Sequence, residues 1–163
     1  MIRGKALVLG DDVNTDALHP SSFYSLDDTK VRQGFLRAVE GREDDAEKDL
    51  SGSIVVAGRN FGIGSSRETG ARVFLLAGIQ AVVAVSFARI FHRNILNLGL
   101  PALACPALAD HQPRDDQEVC VDLETGRVTF GDVILTTEPL DPHWQQVLQA
   151  GGLASYLGLE PRP

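Results

Sequence analysis

The chain has 163 residues, of which 44% are hydrophobic and 23% are charged, a composition typical of folded globular domains and unlike that of disordered chains. This length predicts a single domain over residues 1–163, large enough to bury a core without disulfide bonds. Two cysteines are too few for a disulfide framework or a four-cysteine zinc site. No stretch resembles a secretory leader or a membrane span, so we expect a cytoplasmic protein.

Charge is unevenly distributed along the chain. The net charge is −7 and the pI is about 5.0, yet residues 51–100 contain five arginines and one glutamate, a balance of +4. A basic segment within an acidic chain favours a local site for a small anion. A nucleic-acid-binding protein needs a broad basic face and a high pI, so the composition argues against that class.

The alternation of apolar runs and turn residues predicts a mixed α/β domain. In chain order, the first predicted elements are a strand at 5–9, a turn at 11–16, a short helix near 31–39 and a solvated loop at 42–49. A strand at 53–57, a helix at 66–77, a strand at 80–85 and a helix at 87–98 follow. The chain continues with short strands at 102–105, 118–123, 127–130 and 133–136 and with a last helix at 143–150. Two strand–helix units therefore occupy the middle of the chain, and a C-terminal meander extends the sheet.

The loop 61–67 (FGIGSSR) is the strongest candidate for a binding site. A glycine-rich turn between a strand and a helix directs backbone N–H groups and the helix N-terminus toward one point, which attracts an anion. Ser65 and Ser66 add hydroxyl groups, and Arg67 adds a guanidinium that can bind a carboxylate through two parallel hydrogen bonds. The alternative is that Ser65 only caps the helix and Arg67 is a surface charge.

The anion is better explained as a small carboxylate or phosphate than as a nucleotide. The segment Gly62-Ile63-Gly64 could begin a dinucleotide-binding motif, but Arg67 stands where the third glycine belongs, and the Walker A pattern is absent. Asp11, Asp12 and Asp16 flank a turn, although their spacing does not match a calcium loop.

Three segments together resemble one family: residues 10–16 (GDDVNTD), 56–68 (VAGRNFGIGSSRE) and 86–94 (SFARIFHRN). They are similar to the small subunits of 3-isopropylmalate dehydratase, which are free-standing versions of the aconitase swivel domain. The resemblance extends from about residue 3 to residue 157, with matching order and spacing. It implies a three-layer β/β/α swivelling domain with a mixed sheet, and hydro-lyase activity in leucine biosynthesis.

The resemblance also implies the roles of individual residues. Ser65 matches the base and Asp16 the acidic active-site residue, while Ser66 and Arg67, beside Gly64, match positions that hold a substrate carboxylate. The family enzyme needs a separate large subunit, whose 4Fe–4S cluster is held by three cysteines and acts as a Lewis acid. This chain would bind no metal or cofactor itself, and its partners would be that subunit and a small dicarboxylate, not nucleic acid or membrane.

Two departures from the family pattern concern the substrate site. The family usually continues Arg-Glu-His-Ala, whereas this chain has Thr69 and Gly70 after Glu68. The loop that contacts the variable group of the substrate contains Phe23 and Tyr24 instead of the usual Tyr-Leu pair, and lacks an arginine for a third carboxylate. An alkyl group such as isopropyl is therefore favoured.

Several alternatives remain open at this point. The chain could serve a related homoaconitate, citraconate or dimethylmalate hydratase, or it could be a carboxylate-binding module without catalysis. A nucleotide-binding strand–helix unit is a third class. Arg89 and Arg93 lie one helical turn apart, where their like charges repel each other. An acidic partner would relieve this repulsion, but the two arginines could equally form a solvated face.

Overall fold

Seven strands form one mixed sheet within residues 1–64 and 67–159, the part of the chain that the computed structural model describes. The strands are β1 (Ile2–Val8), β2 (Ile54–Ala57), β3 (Ala81–Ala84), β4 (Ala102–Ala104), β5 (Glu118–Asp122), β6 (Arg127–Phe130) and β7 (Val133–Thr136). Their order across the sheet is β4-β3-β2-β1-β5-β6-β7. The predicted mixed α/β class and the C-terminal meander are both confirmed.

Strand β1 divides the sheet into a parallel and an antiparallel half. On one side it pairs in parallel with β2, with Ala6 opposite Ile54, and β3 and β4 continue in the same direction. On the other side it pairs antiparallel with β5, with Ile2 opposite Val121, and β6 and β7 complete the meander. Strands β2 and β3 are buried along their whole length, as expected for parallel strands covered on both faces.

Six α-helices accompany the sheet in the described ranges. They are α1 (Thr15–Leu18), α2 (Asp28–Gln33), α3 (Thr69–Leu76), α4 (Arg89–Asn97), α5 (Pro142–Gln149) and α6 (Leu153–Tyr156), with single 3₁₀ turns at Ser21–Phe23, Glu43–Glu47 and Pro106–Asp110. Helix α3 packs against α2 and α4, and α4 against α5. No helix in these ranges is long and apolar enough to cross a membrane.

Helix α2 begins and ends earlier than the sequence pattern predicts. The Asp27 side chain caps it by accepting a hydrogen bond of 2.9 Å from the N–H of Thr29, a start signal that the apolar spacing alone does not reveal. Gly34 ends the helix. Phe35 and Leu36, which belong to the predicted helix, are instead buried in the following turns.

The charged run at 42–49 is only partly the solvated loop that its composition predicts. Arg42 binds Asp45 at 3.1 Å and Asp115 at 2.6 Å, and donates to the carbonyl of Val8 at the end of β1. Lys48 contacts the other oxygen of Asp45 at 2.6 Å. Burial alone would raise the pKa of Asp45, but the hydrogen bonds from Lys48 and Arg42 outweigh it and hold that pKa below its usual value.

An aromatic cluster lies beneath the glycine-rich loop. The Phe61 ring is fully buried and makes edge contacts with Phe91 and Phe74, with ring centroids 5.5 and 6.2 Å apart. Phe74 in turn contacts Phe35 at 4.9 Å. Such edge-to-face packing has well-defined geometry, so the start of the loop is anchored to α3 and α4.

Candidate active site

The first and second sequence motifs run side by side. Backbone hydrogen bonds of 2.8–3.1 Å link residues 10–15 to residues 58–63, and they extend the parallel pairing of β1 and β2 beyond the ends of both strands. The last of these bonds joins the N–H of Thr15 to the carbonyl of Ile63 at 2.8 Å. The start of α1 is thereby held against the glycine-rich loop.

The third motif lies on the opposite side of the same loop. Ser86 accepts hydrogen bonds from the N–H of Phe61 through its carbonyl, at 3.0 Å, and from the N–H of Asn60 through its hydroxyl, at 2.9 Å. Ala88 donates to the carbonyl of Phe61 at 2.9 Å. The three segments singled out in the sequence therefore meet at the carboxyl ends of the parallel strands, where open α/β sheets commonly bind ligands.

Two glycines of the loop are required by its geometry. Gly62 has φ of +80°, and a Cβ atom there would lie 2.1 Å from Cδ1 of Phe91. Gly64 has φ of +112°, and its Cβ would lie 3.0 Å from the hydroxyl of Thr15. Both positions combine a left-handed backbone with a close neighbour, so the loop reaches this conformation without strain only with glycine.

The first half of the loop uses its N–H donors inside the fold. The N–H groups of Asn60, Phe61 and Gly62 bind Ser86 and Val13. They therefore do not supply the anion-binding donors predicted for this stretch, and contacts of the loop with an anion must come from the residues after Gly62. Ser65 and Ser66, the predicted base and its neighbour, lie outside the described residues.

Arg67 is exposed at the mouth of this junction and contacts Tyr24. Its Nη1 atom donates a hydrogen bond of 3.0 Å to the Tyr24 hydroxyl oxygen, and its guanidinium carbon lies 4.9 Å from the centre of the Tyr24 ring. The hydrogen bond to Tyr24 is the main cause that raises the pKa of Arg67, and the charge of Asp16 raises it further. Tyr24 and Arg67, predicted site residues from two distant segments, are thus in contact, and Asp16 lies near enough for its charge to act on Arg67.

Asp16 is exposed in the first turn of α1, and the other two aspartates of its motif have structural partners. Asp11 accepts a hydrogen bond of 2.6 Å from the N–H of Arg59, and Asp12 accepts one of 2.8 Å from the side-chain amide of Asn60. Both aspartates therefore hold the first two motifs together. Within residues 1–64 and 67–159, no group of three His, Cys, Asp or Glu side chains could hold a metal ion.

Phe23 and Tyr24, the predicted contacts of the substrate's variable group, are both half-buried but face different neighbours. Phe23 lies over α2, where a Cβ atom on Gly34 would be 2.6 Å from its own Cβ. Tyr24 lies against Arg67 on one side and the buried ring of His19 on the other, with ring centroids 5.3 Å apart. The contacts of His19 could not be predicted from the sequence. The one hint was the presence of a histidine in the same loop as Phe23 and Tyr24.

The remaining polar candidates serve the fold or face the solvent. Arg72 of α3 pairs with Asp28 of α2. Thr69, which replaces the histidine of the family pattern, has a buried hydroxyl without a hydrogen-bond partner among the described residues. Among those residues Arg89 and Arg93 are exposed and form no ion pair.

Surface clefts are found elsewhere on the molecule. One of about 760 Å³ lies between β1, β5 and the segment 42–53, and another of about 410 Å³ lies beside β1, β2 and residues 108–113. Their lining residues do not include Asp16, Tyr24 or Arg67. The cluster of Asp16, Tyr24 and Arg67, called the Arg67 cluster below, thus lies outside both clefts, with Asp16 and Arg67 exposed and Tyr24 half-buried.

The two cysteines do not fit an iron–sulfur cluster with three cysteine ligands. The chain contains only Cys105 and Cys120. Cys105 is buried at the end of β4, Cys120 is half-buried in β5, and both are free thiols. Burial raises the pKa of the Cys105 thiol, which disfavours the thiolate that a metal requires.

Comparison with known proteins gives consistent matches over nearly the whole chain. The family model described as the aconitase C-terminal domain matches residues 13–108. The chain is 42% identical to the 3-isopropylmalate dehydratase small subunit of Pyrobaculum aerophilum over 159 residues, 96% of each chain. It is 40% identical to small subunit 1 of Methanopyrus kandleri over 163 residues, 98% of this chain and 94% of that one.

A solved structure extends the likeness to three dimensions. The crystal structure of 3-isopropylmalate dehydratase (leuD) from Methanocaldococcus jannaschii superposes with a TM-score of 0.86 at 34% identity, covering 96% of this chain and 93% of the other. The predicted fold class is confirmed by this match and by the family model.

Proposed function

This chain belongs to the aconitase C-terminal domain family, with the small subunits of 3-isopropylmalate dehydratase among its relatives, and we propose that it is such a small subunit. In this proposal it supplies part of the active site of a hydro-lyase that interconverts 2-isopropylmalate and 3-isopropylmalate by dehydration and rehydration, a step of leucine biosynthesis. Free thiols at both cysteines agree with a reducing compartment such as the cytoplasm.

Arg67 binds a carboxylate of the substrate. Its guanidinium is exposed, carries a permanent positive charge as every arginine does, and can offer two parallel N–H groups to a carboxylate. Tyr24 assists, since its oxygen accepts from Arg67 and its own O–H proton can be donated to the same carboxylate. The positive charge also stabilises the negative charge that develops when a proton is removed next to that carboxylate.

Ser65 takes the proton, with Asp16 as the acidic group of the site. A serine is a weak base when free, and an electropositive surrounding of the kind that Arg67 provides makes its alkoxide more accessible. Ser66 and Gly64 complete the carboxylate site, and Phe23 borders the alkyl group of the substrate. The roles of Ser65 and Ser66 rest on their place in the motif, between Gly64 and Arg67.

A large subunit completes the site. Carboxylate chemistry of this kind needs a water-excluded pocket, in which charges act strongly on the reacting group. The Arg67 cluster is open to solvent in this chain, so a second surface has to cover it. We assign the 4Fe–4S cluster that the family implies to that partner, because Cys105 and Cys120 do not fit it.

The single observation that carries the proposal is the junction of the three motifs. Segments separated by up to about 80 residues meet beside the contact of Tyr24 with the exposed Arg67, and the exposed Asp16 lies near enough for its charge to act on Arg67. Gly62 and Gly64 allow the loop to reach this junction without backbone strain.

Reconstitution tests the proposal. The chain is combined with the cluster-loaded large subunit from the same source, and formation of the unsaturated diacid from 3-isopropylmalate is followed by ultraviolet absorbance, with each subunit alone as a control. Turnover by the mixture alone is the expected result. If the complex turns over only another hydroxy-diacid, that compound replaces 3-isopropylmalate as the assigned substrate. Absence of any complex would overturn the proposal.

A serine variant tests the assignment of the base. Ser65→Ala should lower kcat by roughly 10²–10⁴-fold, as expected for loss of a general base. Ser155→Ala, which changes an exposed serine of α6, is the matched control and should leave kcat unchanged. Wild-type turnover by Ser65→Ala would show that the chain contributes binding but no base.

A further inference from the structure

A histidine lies completely buried beneath the loop that carries Tyr24. His19 follows α1 directly and has no exposed surface. Its Nε2 atom lies 3.1 Å from the carbonyl oxygen of Val31 in α2. Because a carbonyl can only accept, Nε2 carries the proton, and the side chain ties the end of α1 to α2.

The other ring nitrogen of His19 is buried and has no hydrogen-bond partner among the described residues. An apolar side chain would fill the same space without leaving a polar atom unpaired, so packing alone does not account for an imidazole here. Burial also lowers the pKa of His19, which keeps the ring neutral. What distinguishes this side chain from an apolar one is the N–H that it directs at Val31.

The ring of His19 supports Tyr24, and Tyr24 holds Arg67. The two rings are 5.3 Å apart between centroids and inclined by 30°. The Tyr24 hydroxyl then accepts the hydrogen bond of 3.0 Å from Nη1 of Arg67. A continuous series of contacts therefore connects Val31 in α2 with the guanidinium in the candidate active site.

The fold leaves His19 little freedom to move. A Cβ atom on Gly34 would lie 2.6 Å from Cδ2 of His19 and 2.6 Å from Cβ of Phe23. The rings of His19 and Phe23 fit against this position only because residue 34 has no side chain. His19 is confined between α2 and the loop, and a ring held in this way can hold its neighbour.

We propose that His19 is a positioning residue: through its hydrogen bond to Val31 it fixes the ring of Tyr24, and through Tyr24 it orients Arg67 for the substrate carboxylate. The inference rests on the proposed function for the identity of that carboxylate. The contacts from Val31 to Arg67 do not depend on the substrate. The positioning role of His19 and the identity of the substrate can therefore be tested separately.

The test compares two amides that imitate the two ring nitrogens. In His19→Gln the side-chain N–H reaches about as far as Nε2 and can still bind Val31, whereas in His19→Asn it is too short to do so. In the assembled enzyme, His19→Asn should raise the KM for 3-isopropylmalate about two- to tenfold, the range for loss of one hydrogen bond, with kcat little changed. His19→Gln should stay close to wild type.

A double-mutant cycle shows whether the effect passes through Tyr24. In the Tyr24→Phe background, which lacks the hydroxyl that Arg67 binds, His19→Asn should have no further effect on KM. Equal KM values for His19→Asn and His19→Gln, or an undiminished effect of His19→Asn in the Tyr24→Phe background, would overturn the proposal.

A measurement on this chain alone separates failure of the inference from failure of the proposed function. In the isotope-labelled chain, NMR should show slow guanidinium rotation of Arg67 in the wild type and in His19→Gln. Rotation should be faster in Tyr24→Phe and in His19→Asn. If Arg67 moves equally in all four proteins, His19 does not position it, whatever substrate the assembled enzyme uses. Thermal unfolding of each variant confirms that the compared chains are folded.

Discussion

Arg67 has features that a lysine cannot reproduce. Its Nη1 binds the Tyr24 hydroxyl and its guanidinium carbon lies 4.9 Å from the centre of the ring, while the planar group has further N–H donors to offer a carboxylate in pairs. A lysine would keep the positive charge but would present a single compact ammonium group. The site therefore depends on shape as well as on charge.

Arg67→Lys should lower kcat/KM of the assembled enzyme by about 10- to 100-fold, the range for loss of a hydrogen bond to a charged group. The thermal unfolding temperature should not change, because Arg67 is exposed. Steady-state kinetics and thermal melts check both statements. Arg127→Lys, an exposed arginine of β6, is the control and should match wild type in both. Wild-type kcat/KM in Arg67→Lys would contradict its role in binding the carboxylate.

At this scale the sequence predicted the site residues unevenly. Arg67 and Gly64 stand out as candidates in the sequence because a glycine-rich turn, hydroxyls and an arginine all favour the same ligand. His19 does not, since its significance lies in contacts with Val31 and Tyr24 that arise only when α2 folds over α1. A sequence pattern shows residue types and spacing but not which side chain of a loop turns inward.

Among the structural elements, the glycine-rich loop is defined by the places where no side chain fits. Gly62→Ala should destabilise the chain by about 2–5 kcal/mol, because a left-handed residue and a clash with Phe91 add together. Gly41→Ala is the matched control: Gly41 has φ of +75° but no neighbour within 4 Å of its added Cβ, so only about 1–2 kcal/mol should be lost.

Urea unfolding measures both free energies of unfolding. Similar losses in Gly62→Ala and Gly41→Ala would mean that Phe91 moves aside without cost and that the loop is not rigidly anchored. We expect the difference between the two variants to report the packing of the loop on α4, separately from its backbone conformation.

The segment 42–49 is a second element whose role is set by distant contacts. Asp45→Asn should lower the free energy of unfolding by about 1–3 kcal/mol, because Arg42 and Lys48 lose the carboxylate that binds both. Asp44→Asn, at an exposed neighbouring position, should have little effect. The measurement is again urea unfolding, and equal stability of the two variants would show that the ion pairs of Asp45 are not needed to hold this segment on β1.

The elements could be predicted best where local pattern and burial agree. Strands β2 and β3 and helices α3 and α4 follow from their apolar runs and from the glycines that end them. The segment 42–49 could not be predicted as a buried contact, because the partner Asp115 of Arg42 is 73 residues away. The apolar spacing predicts helix α2 too late in the chain, because this spacing continues to residue 39. In the structure the helix begins after its cap, Asp27, and ends at Gly34.

For the whole molecule, the two halves of the sheet differ in their relation to the three motifs. The parallel half ends in the three motifs, whereas the antiparallel meander pairs with residues 2–5 at the start of β1. Because the family model ends at residue 108 and the relatives extend across the meander, both halves belong to the shared architecture. In the proposed function, the exposed Arg67 at the carboxyl ends of the parallel strands is the part of the site that the large subunit would cover.

The stability of the whole chain should fall on the acid side in two stages. Burial lowers the pKa values of His19 and His92 below the usual 6.5, so the unfolded chain binds protons more readily than the folded one once the pH falls below that value. Stability is therefore complete above about pH 6.5 and decreases as the pH falls through the lower folded values. Asp45 has a pKa lowered below its usual 3.8, so its contribution is lost later, as the pH falls below about 4.

Histidine variants should separate the first stage from the second. The double variant His19→Gln with His92→Gln should unfold with nearly constant free energy between about pH 8 and pH 5, while the wild type becomes less stable over that range. His143→Gln, which changes an exposed histidine at the start of α5, is the control and should follow the wild type. Urea unfolding at a series of pH values measures the effect. If the double variant loses as much stability as the wild type between these pH values, protonation of His19 and His92 does not cause the first stage.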